Sequence, residues 1–250
     1  MPAINTIDKV IEALDSIIKQ AEDKSGTAGY FAALYRKVTL RVKQGIVNNE
    51  FEDGSRMEQL DVIFASRYID AYVAWKNNQP ITTSWKKAFD ITTNYWPIVL
   101  QHLLIGMNAH INLDLGIAAA AISNGKDING LQNDFNKINT ILSSLVAEVQ
   151  NELAAIWPRL KWILQRTRKV DDFMVDFSMQ LSREGAWNFA VSIADKPVAD
   201  LDNLIAERDI KVAEKSKIIT YDGFWASLIL GIIRIGEHGS IKEKIEKLKT

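Results

Sequence analysis

The sequence predicts an all-α protein, a single compact multi-helix bundle over residues 1–250 built around a buried central helix. Three observations carry that reading. Each strongly patterned segment repeats its apolar residues with a period near 3.6, as Ile7, Val10, Ile11, Leu14, Ile17 and Ile18 do. No run alternates as a half-buried strand would, and the few β-branched clusters sit beside helix caps. Finally, no Asp, Glu, Lys or Arg stands between Asp90 and Asp114, yet this apolar stretch carries Gln101, His102, Asn108, His110 and Asn112. A helix apolar all round is either a core helix or a membrane span. So many polar side chains argue against lipid, so it is read as a core helix carrying its own polar cluster.

In chain order, Asn5 or Thr6 is placed to cap the first helix, which ends near Gly26. A second helix, 28–43, carries Tyr30, Phe31, Leu34, Val38 and Val42 and is expected to stop at Gly45. Asp53-Gly54 makes a turn, and Ser55 with Glu58 three residues on has the capping-box spacing for a helix over 56–76. On that helix Asp61 shares a side with Phe64, Ala65, Tyr68, Tyr72 and Trp75, while Arg67 lies near Leu60, Ala71 and Ala74. Both charges therefore read as partly buried and in need of partners. A short helix over 84–89 leads into the central one, with Asn94 as its expected cap and Pro97 in its first turn. Ser123-Asn124-Gly125 closes it. Amphipathic helices are expected over 131–156 and 170–193, separated by Trp157-Pro158 and a short turn at 160–165. On the second, Asp172, Asp176 and Arg183 share a face with Met179, Ala186 and Ala190. Segments near 199–215, 223–235 and 241–248 finish the chain, the last with Ser240 and Glu243 as a capping box.

Composition narrows the function classes. Hydrophobic residues make up 47% and charged residues 24%, ordinary globular values. A net charge of −1 with Lys and Arg dispersed gives no electrostatic footprint for nucleic acid. With no Cys there are no disulfides, thiolate ligands or Cys nucleophile, and the N-terminal residues lack a signal-peptide pattern, so a cytoplasmic location is expected. No G-x-S-x-G elbow, dinucleotide fingerprint or P-loop occurs.

Helix geometry sorts the polar residues of the central run. His110 and Asp114, four apart, fall about 40° from each other on a face with Leu103, Gly106, Met107, Ile117 and Ala121. Asn108 and Asn112 lie on the far side, roughly 160–200° round, beside Gln101, with His102 between the two groups. A histidine oriented by a carboxylate is the minimum for acid–base chemistry near neutral pH, so His110, Asp114 and Asp61 are the candidate catalytic residues. Arg67 is the candidate anchor for an anionic substrate group, with His102, Asn108, Asn112, Tyr68 and Trp96 as further binding residues. The His110-x-x-x-Asp114 spacing also allows both side chains to address one divalent metal from successive turns. The alternative for each is a packing role: Arg67 neutralising Asp61, Asp70 or Asp114, and His110 with Asp114 in a hydrogen-bonded core network.

Two stretches, MEQLDVIFASRY (Met57 to Tyr68) and QHLLIGMNAHINLDLGIAAA (Gln101 to Ala120), resemble a mainly bacterial family, domain of unknown function 5995. The first rests on Met57, Glu58, Leu60, Asp61, Phe64, Ala65, Arg67 and Tyr68, the second on almost every residue from His102 to Leu115. FAALYRKVT (Phe31 to Thr39), Arg183-Glu184 and Ala186-Trp187 extend it more weakly. The resemblance implies a whole-domain helical fold and supplies no reaction. Three classes of function stay open: an enzyme on a small, partly apolar, anionic molecule; a binding module for an apolar ligand, lined by Tyr68, Tyr72, Trp75, Tyr95 and Trp96; and a structural or interaction protein whose polar cluster specifies packing. The first leads. Oligomeric state is left open.

Overall fold

The structure, a computed structural model, describes residues 4–123, 127–138, 140–141, 184–220, 231 and 233–249. Within them the helices are α1 (Ile7–Lys24), α2 (Gly29–Val47), α3 (Gly54–Lys76), α4 (Thr83–Asp90), α5 (Val99–Ala109), α6 (Leu115–Ser123), α7 (Glu184–Ala194), α8 (Val198–Thr220) and α9 (Ile241–Lys249). There is no strand among the described residues, in accord with the all-α expectation. The expected helix over 131–156 is seen in its first part: a 3-10 turn, Ile128–Leu131, runs on as helix over 132–138. Its remainder, the Trp157-Pro158 break, the turn at 160–165, the charged group Asp172, Asp176 and Arg183, and most of 223–235 lie outside the described residues.

The helix ends follow from local chemistry. Thr6 caps α1, its side chain accepting from the Lys9 N–H. α3 is capped by Asp53, whose carboxylate accepts from Arg56 N, and not by the expected Ser55/Glu58 box. Glu58 instead accepts from Ile7 N at 3.2 Å and stitches α3 to the start of α1. α2 does not stop at Gly45. That glycine lies buried inside the helix, close under the Phe51 ring, from which a Cβ would stand only 2.8 Å. The central helix starts at Val99, five residues after the expected Asn94 cap, because Gln101 turns back to accept from the Ile98 N–H at 3.1 Å. The Ser240/Glu243 capping box on α9 forms as expected, with Glu243 N donating to Ser240 Oγ and Ser240 N to Glu243 Oε2.

α1 and α2 form a hairpin with α3 against both, and this layer covers one side of the α5–α6 helix. α4 and α8 pack on α5, and α7 packs on α6, so the central helix is enclosed by its neighbours. By length and composition, Val99–Ser123 is apolar enough to cross a membrane, but 94% of its most apolar window is buried within the protein, as in a core helix. Small residues permit the enclosure. A Cβ on Gly106 would come within 2.5 Å of the Phe31 ring, and one on Gly116 within 2.9 Å of both the Ala186 carbonyl and the Phe189 ring. Distant carboxylates fasten the other helix starts. Asp209 on α8 accepts from Thr83 N (2.6 Å) and Ser84 N (2.8 Å), and Asp134 accepts from Glu52 N, Asp53 N and Arg56 Nη2. Each meets backbone N–H groups that a helix start leaves without internal partners.

Candidate acid–base site

The central helix is not α-helical throughout. Residues His110–Asp114 form a single π-helical turn, in which the Leu115 N–H reaches back five residues to the His110 carbonyl. Such insertions are rare and occur often at functional sites. The wider turn brings positions four apart almost into line, and His110 Nδ1 lies 3.1 Å from Asp114 Oδ2. Two further donors converge on the same carboxylate: Arg67 Nε from α3 at 2.6 Å to Oδ1, and Trp85 Nε1 from α4 at 2.8 Å to Oδ2. Asp114 is completely buried. Three donors from three elements match a carboxylate, which only accepts.

Aromatic rings wall the imidazole. Phe64 stacks on it at 3.6 Å between centroids and 6° between planes, and Tyr35 meets it edge-on at 4.4 Å. Phe31, Tyr68 and Trp85 complete the surround at about 6 Å. Burial in these walls holds His110 below the usual histidine range, outweighing the opposite pull of Asp114. The neutral ring therefore carries its hydrogen on Nδ1, pointing at the carboxylate, and presents a bare lone pair at Nε2. Nε2 is buried and has no hydrogen-bond partner among the described residues.

Neighbouring polar atoms share that condition. The hydroxyl of Tyr68 and Oδ2 of Asp61 are buried with no hydrogen-bond partner among the described residues. Asp61, Asp114 and Tyr68 all lie close enough to Tyr35 to act on its ionisation. Burial, reinforced by Glu58, pushes the Asp61 carboxyl up to about 8, so at neutral pH it is mostly the protonated acid.

The structure thus brings His110, Asp114, Arg67, Tyr68 and Asp61 into one neighbourhood, and it places the other candidate residues elsewhere. Arg67 pairs with Asp114, and among the described residues no cation pairs with Asp61. Asn108 and Asn112 face α8: Asn108 Nδ2 donates to the Val212 carbonyl (2.8 Å) and Ser216 Oγ (3.2 Å), and Asn112 Nδ2 to Asn108 Oδ1 (3.0 Å). Gln101 Nε2 likewise donates to the Ile219 carbonyl, so this polar face locks two helices together. His102 sits near the start of α5 against Tyr30, and Trp96, 62% exposed, stands at the surface with Tyr95. Neither belongs to the His110 cluster.

A shared metal does not fit the His110–Asp114 pair. The two side chains bond each other, a guanidinium occupies the carboxylate's other oxygen, and no group of three His, Asp or Glu suited to a metal occurs among the described residues. Sequence reasoning missed Trp85 and Phe64 as the partners of Asp114 and His110. Trp85 and Phe89, four apart on α4, mark a buried face, but periodicity does not say which acceptor an indole will meet.

A family model described as a family of unknown function, DUF5995, matches residues 7–222. The chain belongs to this family. The DUF5995 match contains every member of the His110 cluster and also Arg208, whose Nε caps the Asn112 carbonyl inside the π turn at 2.9 Å. No curated protein and no solved structure matches the chain.

Proposed function

We propose that this protein is an enzyme in which His110, oriented by Asp114, acts as general base toward a small, partly apolar, anionic molecule. One observation carries the reading: Nδ1 of His110 is fixed by a carboxylate that Arg67 and Trp85 hold in turn, while Nε2, the other nitrogen of the ring, is buried with no partner among the described residues. A base needs a defined tautomer and an available lone pair near neutral pH. Asp61, protonated in the same neighbourhood, supplies the matching acid, and two carboxyls pushed to different states by their surroundings are a common acid–base arrangement. The aromatic walls suit an apolar body. Arg67 is the member that extends to the surface, its side chain 28% exposed, and it marks the approach for an anionic group.

A second reading is favoured by the same carboxylate. Asp114, buried and satisfied by three donors, is also what a packing lock between α3, α4 and the central helix looks like. A thermal-shift screen of small carboxylates and phosphates bearing apolar groups separates the two. A ligand at about 100 times its dissociation constant stabilises by roughly 2.7 kcal/mol. The enzyme reading expects a hit with the wild type that is lost in both His110→Gln and Arg67→Met. No hit, or one retained by both variants, favours the lock.

A further inference from the structure

A second buried ionic cluster lies at the other end of the central helix, where α5 begins. Glu237 accepts three hydrogen bonds: from the Val99 N–H at 2.8 Å to Oε1, and from Arg234 Nη1 and Lys244 Nζ at 3.0 Å each to Oε2. Lys244 is 2% exposed. Two cations thus share one carboxylate, and among the described residues no other carboxylate pairs with either. The cluster holds a net positive charge against the start of a helix, which itself carries partial positive charge. A lysine ammonium has three N–H groups, and among the described residues one of them is used.

Two buried side chains with spare donors border the same cluster. His102 (4% exposed) and Tyr30 (1% exposed) meet edge to face at 5.6 Å. Among the described residues, neither ring nitrogen of His102 nor the hydroxyl of Tyr30 has a hydrogen-bond partner. His102 lies one helical turn after Val99, whose N–H Glu237 accepts, and Gly29, next to Tyr30, packs directly on Ile245, next to Lys244, so these groups gather at one end of α5. Burial, with the cations Arg234 and Lys244, drives His102 down to about 3, leaving a neutral ring with one N–H to donate. Unpaired buried charge and unmade buried hydrogen bonds are both costly, and both are relieved by one acceptor carrying negative charge. From the solvent side, Arg234 Nε donates to the Tyr95 carbonyl at 2.7 Å, and the guanidinium lies 4.7 Å from the centre of the Tyr95 ring, which is 71% exposed.

We infer that Tyr30, His102, Arg234 and Lys244 form a binding site for a small oxyanion, a phosphate or carboxylate group, at the start of α5, entered beside Tyr95. It is distinct from the His110 cluster. Arg234 and Lys244 also lie beyond residue 222, outside the stretch matched by the family model. The test is calorimetric titration of the full chain with inorganic phosphate and with acetate at constant ionic strength, in wild type, Tyr30→Phe and Lys244→Met. Saturable binding of at least one anion is expected in wild type, weakened roughly tenfold or more in Tyr30→Phe, which deletes only the hydroxyl, and lost in Lys244→Met. Absence of saturable binding of either anion in wild type overturns the proposal. So does unchanged affinity in Tyr30→Phe, which remains decisive should Lys244→Met fail to fold.

Discussion

At the scale of residues, Asp114 joins α3, α4 and the π turn through one carboxylate, so changes there have the steepest predicted effects. Asp114→Ala strips Arg67 of its buried partner and should cost about 3–5 kcal/mol in urea unfolding. Trp85→Phe keeps the ring packing but removes one hydrogen bond to a charged group, and should cost about 1.5–3 kcal/mol. Equal, near-zero losses would show that the carboxylate is not held as described. Asp61 provides a pH signature. Its folded-state carboxyl is raised from an ordinary value near 4 to about 8. The native state therefore holds more protons than the unfolded chain between those values, and this stabilisation, full below pH 4, is lost as pH rises through 8. His102, lowered to about 3, works oppositely: its contribution is full above pH 6.5 and is lost as pH falls toward 3. Comparing wild type with Asp61→Asn isolates the first. The wild type should lose stability relative to the variant as pH rises from 4 to 8, and a constant difference across that range would mean Asp61 is not buried as an acid.

At the scale of elements, close contact around the central helix is testable at its glycines. A Cβ at Gly116 meets backbone, the Ala186 carbonyl at 2.9 Å, whereas one at Gly130 meets nothing within 4 Å. Gly116→Ala should cost about 1–3 kcal/mol by overpacking, and Gly130→Ala much less, measured by the same denaturant titration. Elements are also where the sequence was most and least legible. The period of Ile7, Val10, Leu14 and Ile17 set α1, and the polar run with its two opposed faces identified the central helix, with Asn108 and Asn112 correctly set apart from His110. The π turn was not legible, because a helix that is apolar all round has no apolar stripe whose phase an inserted residue could be seen to shift. Boundaries set by distant partners were equally hidden. Asn94 looked like a cap, but the Ile98 N–H goes to Gln101 and the Val99 N–H to Glu237, far along the chain. Pairing partners, such as Trp85 for Asp114, depend on how helices cross, and spacing within one helix does not encode that.

At the scale of the whole molecule, carboxylates from the C-terminal part reach back to helix starts in the first half: Asp209 to α4 and Glu237 to α5. These contacts join parts of the chain more than 120 residues apart. Asp209→Ala removes two charge-assisted bonds to the first N–H groups of α4, and should lower stability by about 1–3 kcal/mol within the global unfolding transition. Hydrogen exchange in which only the amides of α4 lose protection would instead show that α4 is fastened locally and unfolds on its own.

The central claim is that His110 stands as a neutral base with its Nδ1 hydrogen committed to Asp114 and its Nε2 bare. Ring nitrogen chemical shifts, from two-dimensional NMR of protein labelled with ¹⁵N histidine and assigned with a His110→Gln control, report this directly. The account predicts that at pH 7 His110 Nδ1 has the shift of a protonated nitrogen and Nε2 that of an unprotonated one, and that this pattern persists as pH falls below 6.5. Observation at pH 7 of an imidazolium, or of the tautomer with hydrogen on Nε2, would contradict it.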